Sequence, residues 1–180
     1  MICVGGVGMP ELWDILDENG NKTGRLCERG NQLNRGECHL VIHVWIKNSK
    51  NEFLISRRTN DSGWWSGLWQ TTGGAAVAGD NSLETAQKET SEEIGIILDL
   101  KNGQFFKRYK EPRKNDEGTV FIDVWVFRQD FDIATVVLQP EETCDAIWAS
   151  KEKIKQMIDD GYFIPPQNAY PYIDELFENV

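Results

Sequence analysis

The sequence predicts an α/β fold in which a mixed β-sheet carries helices packed on its faces. Three observations carry this reading. His39 to Ile46 (HLVIHVWI) is a continuous apolar run of strand length, rich in β-branched and aromatic residues. A capped segment after Asn81 has helical spacing, with Leu83, Ala86, Thr90 and Ile94 on one face. Further strand-like runs follow it, and the chain closes on two helical segments.

Taken in order, Leu12 to Leu16 reads as a short strand ended by the turn Asp17-Glu18-Asn19-Gly20. After a polar stretch comes the buried strand 39–46. Asn48-Ser49-Lys50-Asn51 turns it into a second strand, Glu52 to Arg58, so the pair reads as a hairpin. Residues 59–67 (TNDSGWWSG) form a loop, and a short strand from Leu68 to Thr72 leads into Gly73-Gly74. Asn81 with Glu84 three residues later makes a capping box, and Gly95 suits the left-handed position that stops the helix. Strands are expected near 96–100, 104–110, 119–128 and 144–149. The segments 150–160 and 168–178 read as helices separated by Gly161 and Pro165-Pro166.

With 180 residues, 40% apolar and 27% charged, the chain fits one globular domain over residues 10–180. Residues 1–9 are expected to be a disordered start, with Met9 an alternative initiator to Met1. A net charge of −10 argues against a nucleic-acid polymer or an anionic membrane as partner. No apolar run reaches membrane-spanning length and the start lacks a basic signal-peptide region. Cys3, Cys27, Cys38 and Cys144 show no CxxC pair, so reduced thiols in the cytoplasm are expected, and His39 and His43 do not complete a zinc site.

The chemistry concentrates in GAAVAGDNSLETAQKETSEEIGI, from Gly74 to Ile96. Glu89, Glu92 and Glu93 crowd into the last turns of one helix, where neighbours at i+3 and i+4 repel one another. The helix C-terminus adds a penalty of about 0.3–1 kcal/mol per exposed charge. A divalent cation would relieve both. The helical period places the three glutamates on a different face from the apolar residues, pointing away from the core.

The spacing G-x5-D-x7-K-E-T-x-E-E-x-G-I resembles the Nudix box, G-x5-E-x7-R-E-U-x-E-E-x-G-U with U aliphatic. Asp80, Lys88 and Thr90 depart from it. An Asp80–Lys88 pair keeps the charges of the family's acid and base but loses the two-pronged guanidinium geometry. Thr90 is nearly the shape of valine, and its hydroxyl needs a partner such as a carbonyl one turn back. The segments LWDILDENGNKTG, GECHLVIHVWIKN and FLISRR, Glu141-Glu142 ahead of Trp148, and GYFIPP resemble the branch that contains isopentenyl-diphosphate isomerases and their hydrolase-like relatives.

The resemblance implies a Nudix-type α/β/α sandwich with a mixed β-sheet, and a Mg²⁺-dependent hydrolase (Mn²⁺ being an alternative ion) acting on a small diphosphate-containing substrate. It implies that Glu89, Glu92, Glu93 and the Gly74 carbonyl hold the metal. Glu92, Glu89 and Glu142 are the candidate general bases. Arg57 and Arg58 end a strand that leads towards the site, and alternation sends them to opposite faces, so one is expected to grip a phosphate. Trp64 and Trp65 are candidates for a substrate wall, whereas Trp13, Trp45, Trp125 and Trp148 lie in strand patterns and read as core. The isomerases carry a catalytic cysteine in a CGHP segment where this chain has Gly73-Gly74-Ala75-Ala76, so hydrolysis is expected over isomerisation. A non-catalytic ligand-binding module is the alternative reading. The oligomeric state stays open, a homodimer included.

Overall fold

The computed structural model describes residues 10–60, 63, 65–112 and 119–180. The segment 1–9, for which a disordered start is expected, and Trp64 lie outside the described residues. Among the described residues, nine strands and four helices follow one another as β1 (Leu12–Leu16), β2 (Lys22–Glu28), β3 (Cys38–Lys47), β4 (Glu52–Arg58), β5 (Trp69–Gln70), β6 (Thr72–Ala75), α1 (Ser82–Ile94), β7 (Gly103–Pro112), β8 (Thr119–Arg128), β9 (Thr143–Ser150), α2 (Lys151–Asp159), α3 (Pro166–Ala169) and α4 (Ile173–Asn179).

The apolar run around HLVIHVWI becomes the centre of the sheet. Along one edge β3 pairs in parallel with β8, from Cys38↔Thr119 to Lys47↔Arg128. Its other edge is shared: Leu16 of β1 meets Cys38, β6 pairs from Val41↔Ala75 to Val44↔Thr72, and β4 touches only at Lys47↔Phe53. The expected β3–β4 hairpin forms, with its antiparallel pairing confined to the turn end at Lys47↔Phe53. Asn48 N–H donates to the Glu52 carbonyl at 2.9 Å, after which β4 leaves to pair with β9 and β5. The sheet is mixed, as the sequence predicts, because β3–β8 is parallel and the other ladders are antiparallel.

Alternation along β3 feeds two cores. Ile42, Val44 and Ile46 pack with Ala86 and Ile94 of α1 on one face. Trp45 packs with Ile154 of α2 and with Leu176 and Phe177 of α4 on the other. Helices thus cover both faces, and each fully buried isoleucine contributes about 1.5–3 kcal/mol. Trp13 and Trp45 are buried, while Trp125 and Trp148 are half-buried against the α1-side core.

Four expectations need correction. β2 lies in the stretch read as merely polar; it is an almost wholly exposed partner of β1, so no burial alternation marks it. No strand forms near 96–100, where Ile96 and Leu98 are buried under α1 in an extended segment and a short helical turn spans Leu100–Asn102. The strand expected from Leu68 to Thr72 is two strands with different partners, β5 on β4 and β6 on β3. The last helix is broken in two between Ala169 and Ile173.

Candidate functional site

α1 is placed by its ends. The Asn81 side chain accepts from the N–H groups of Leu83 and Glu84, and the Glu84 carboxylate accepts from the Asn81 N–H, the reciprocal box its spacing predicts. Gly95 closes the helix at φ 68°, and its N–H reaches the Ser91 and Thr90 carbonyls. Lys88 Nζ stands 2.6 Å from Asp80 Oδ2, so the shorter acid and base still tie the preceding loop to the helix. The Thr90 hydroxyl, fully buried, donates to the Ala86 carbonyl at 2.8 Å, one turn back.

The last turn is anchored to the chain that follows. The Glu93 carbonyl accepts from Gln139 N–H at 3.1 Å and from Thr143 Oγ1 at 3.0 Å. The same segment is tied to the end of β4, because Thr59 N–H donates to the Glu142 carbonyl at 3.0 Å. These bonds set Glu141 and Glu142 beside the helix glutamates. Across from them lies β6, whose glycines are required by close approach. A Cβ on Gly73 would sit 2.1 Å from the Ile42 carbonyl oxygen, and one on Gly74 would sit 2.3 Å from Glu89 Oε2.

Together these elements wall a cavity of about 550 Å³. Gly73, Gly74, Ala75 and Val77 form one side, Glu89, Glu92 and Glu93 another, and Gln139, Glu141 and Glu142 a third. Arg58 lines it from β4, and the pair Glu11 and Arg29 lines it from the open ends of β1 and β2. Six carboxylates therefore face two guanidinium groups. Arg58 also donates from Nη1 to Gln70 Oε1 at 3.3 Å.

The glutamates do not simply point away from the core. Glu92 is exposed and Glu89 half-buried, but Glu93 is only 3% exposed, because the last turn of α1 is pressed against β6 and the 139–143 segment. Burial, then the Glu89 and Glu142 charges, push the Glu93 carboxyl well above the usual range, against the Gly73 N–H and Arg58. Burial, then Glu92 and Glu142, push Glu89 up to about 7, with Arg29 opposing. The Glu11 hydrogen bond holds the Arg29 guanidinium further to the charged side, aided by Glu142 and Glu89.

Of the residues singled out in the sequence, Arg58, Gly74, Glu89, Glu92, Glu93 and Glu142 line the cavity. Arg57 does not; its Nε donates to the Gly67 carbonyl at 2.9 Å on the opposite face of β4. Trp65 does not line it either, and packs against the α2–α4 core with φ 63°. Glu11 and Arg29 were not singled out, and only the β1–β2 pairing brings them here; the Asp17–Gly20 turn signal was the one hint of it.

The donors fit a hard cation. All are oxygens, and Glu93 Oε2 is buried with no hydrogen-bond partner among the described residues. Among those residues no three His, Cys, Asp or Glu side chains already converge on one point. Among them too, no helix is long and apolar enough to cross a membrane.

The model of the NUDIX domain matches residues 38–166. An uncharacterized Nudix hydrolase of Listeria monocytogenes is 38% identical over 93% of this chain and 94% of its own length. An isopentenyl-diphosphate delta-isomerase of Photorhabdus laumondii is 29% identical over 56% of this chain and 58% of its own. Among solved structures, one from Deinococcus radiodurans superposes with a TM-score of 0.73 at 18% identity, covering 92% of this chain and 98% of that one.

Proposed function

This chain belongs to the Nudix family and is a hydrolase of pyrophosphate bonds, and from that premise we propose that it cleaves the diphosphate linkage of a small metabolite, a nucleoside diphosphate derivative, with Mg²⁺ as its cation. The observation that carries the metal is the buried Glu93 carboxylate, whose Oε2 has no hydrogen-bond partner among the described residues and which lies beside Glu89. Two carboxylates so placed are stable as anions only with a cation between them.

Glu89, Glu92, Glu93 and the Gly74 carbonyl would hold that ion. Mg²⁺, or Mn²⁺ in its place, supplies charge against the diphosphate oxygens and makes water a better nucleophile. Arg58 binds a phosphoryl oxygen in the two-pronged manner open to a guanidinium. As the water oxygen bonds to phosphorus and the bridging P–O bond breaks, Glu89, Glu92 or Glu142 accepts the proton. The described walls carry six carboxylates and two guanidinium groups, which suit a metal-bound diphosphate. The rest of the reading is one domain over residues 10–180, working in the cytoplasm, with neither a nucleic-acid polymer nor a membrane as partner.

The departures from the box leave its bracing in place: Asp80 still holds Lys88, and Thr90 is satisfied within its helix. That supports turnover over a purely ligand-binding module. Gly73 to Ala76 supply neither the cysteine nor the histidine of the isomerases. A panel of diphosphate compounds with Mg²⁺ and Mn²⁺, read as released phosphate, tests the proposal. Glu92→Gln and Glu93→Gln should each lower the rate by about 10²-fold or more. A panel without turnover, or variants as active as the parent, would count against it.

A further inference from the structure

Two cations line the cavity, and only Arg58 has a role so far. Arg29 is placed by two bonds to Glu11. Its N–H donates to the Glu11 carbonyl at 2.8 Å, and its Nη1 donates to Glu11 Oε2 at 2.9 Å. The side chains are 61% and 35% exposed, and exposed pairs of this kind add little to stability. The location is more informative than the pair. Arg29 stands at the wet rim of an acidic cavity, within the influence of Glu142 and Glu89, with the rest of its guanidinium fork uncommitted to any described side chain. A fork of N–H donors at the wall of a chamber matches an oxyanion with two acceptors in one plane.

We propose that Arg29 is a substrate-binding residue that grips a second phosphoryl group at the rim of the cavity while Arg58 grips the first. The claim rests on the hydrolase reading above and deepens it. Two guanidinium groups lining one cavity from separate elements, β4 and the residue after β2, match a substrate with two linked phosphoryl groups. A monophosphate satisfies one and leaves the other with Glu11. Arg29 is therefore a specificity residue, selecting diphosphate over monophosphate.

Calorimetric titration of the Mg²⁺-loaded protein with imidodiphosphate, a non-hydrolysable diphosphate, and with inorganic phosphate reads this directly. Arg29→Ala should weaken imidodiphosphate binding by about tenfold or more while inorganic phosphate changes by less than about twofold. Arg29→Lys should recover part of the loss, keeping the charge without the fork. Arg57→Ala, outside the cavity, should match the parent. Melting of Arg29→Ala should stay within about 2 °C of the parent, given the exposure of the pair. Parent-like imidodiphosphate binding by a folded Arg29→Ala, or equal losses for both anions, would overturn the proposal alone, with the hydrolase reading intact if the parent turns over a diphosphate. A parent that neither binds imidodiphosphate nor turns over any diphosphate would overturn both.

Discussion

Replacing Gly74 with alanine places a Cβ 2.3 Å from Glu89 Oε2 and 2.4 Å from its Cδ, about an ångström inside ordinary contact. The atoms it meets are the far end of a side chain that can swing away. Replacing Gly73 with alanine looks like the same change one residue earlier, but its Cβ lands 2.1 Å from the Ile42 carbonyl oxygen, which is backbone of the central strand. That strand is held by β8 along its whole length and cannot retreat. Overpacking typically costs about 1–3 kcal/mol, and Gly73→Ala belongs at the upper end or beyond it. For a chain of this size each kcal/mol shifts the melting temperature by about 2–4 °C, giving a fall of about 6–12 °C. Gly74→Ala should melt within about 2 °C of the parent in EDTA, yet bind Mn²⁺ at least about 10–100-fold more weakly, because Glu89 has been displaced. Scanning calorimetry and Mn²⁺ titration on both variants test the pair of expectations. If Gly74→Ala binds Mn²⁺ like the parent, Glu89 is not held against β6 for a metal; if Gly73→Ala is as stable as Gly74→Ala, the β3–β6 contact is not tight.

Two further expectations concern charge. In EDTA the protein should become more stable as pH falls from about 7 to 5: Glu89 titrates near 7 when folded and nearer its ordinary value of 4.5 when unfolded, so the folded state binds more protons in that window. The Glu89 contribution is of order 3 kcal/mol, present below about pH 4.5 and lost as pH rises through about 7. Saturating Mg²⁺ should raise the melting temperature more at pH 8 than at pH 5, and a pH-independent melting curve in EDTA would refute the assignment. On β8, Asp123 is 1% exposed and accepts from Arg108 Nε at 2.6 Å and Nη2 at 2.8 Å. Arg108→Ala should cost about 3–5 kcal/mol in urea unfolding, and adding Asp123→Asn should recover part of it, since the cost is the stranded charge; equal stability of parent and Arg108→Ala would refute this.

The box was readable because its parts are local. A capping box, a glycine stop and three glutamates are set by spacing within one helix, and the structure reproduces the caps. The depth of Glu93 was not readable in this way. Helical period gives the direction of a side chain from its own axis, whereas burial here comes from β6 and the 139–143 segment closing over that face. Arg58 and Arg57 were separated by alternation, and they do lie on opposite faces of β4. Glu11 and Arg29 escaped notice because β2 has neither apolar alternation nor a buried face, and pairing on β1 alone brings its end to the cavity. Residues 96–100 misled in the opposite sense: their alternation is genuine, but it serves packing under α1 rather than a ladder.

The parallel ladder between β3 and β8 also sets the order in which the molecule can be assembled. Its two strands are separated in the chain by β4, β5, β6, the whole of α1 and β7. Loop closure over that distance is slow and must precede its reward, so a chain emerging from the ribosome carries α1 in water before β8 exists to complete its platform. Gln139 and Thr143, which clasp the Glu93 carbonyl, emerge later still. Until then Glu93 remains solvated and free to ionise. The growing chain thus meets the cost of an enclosed carboxylate only after Gln139 and Thr143 have emerged, when the cavity that could receive a cation closes around it.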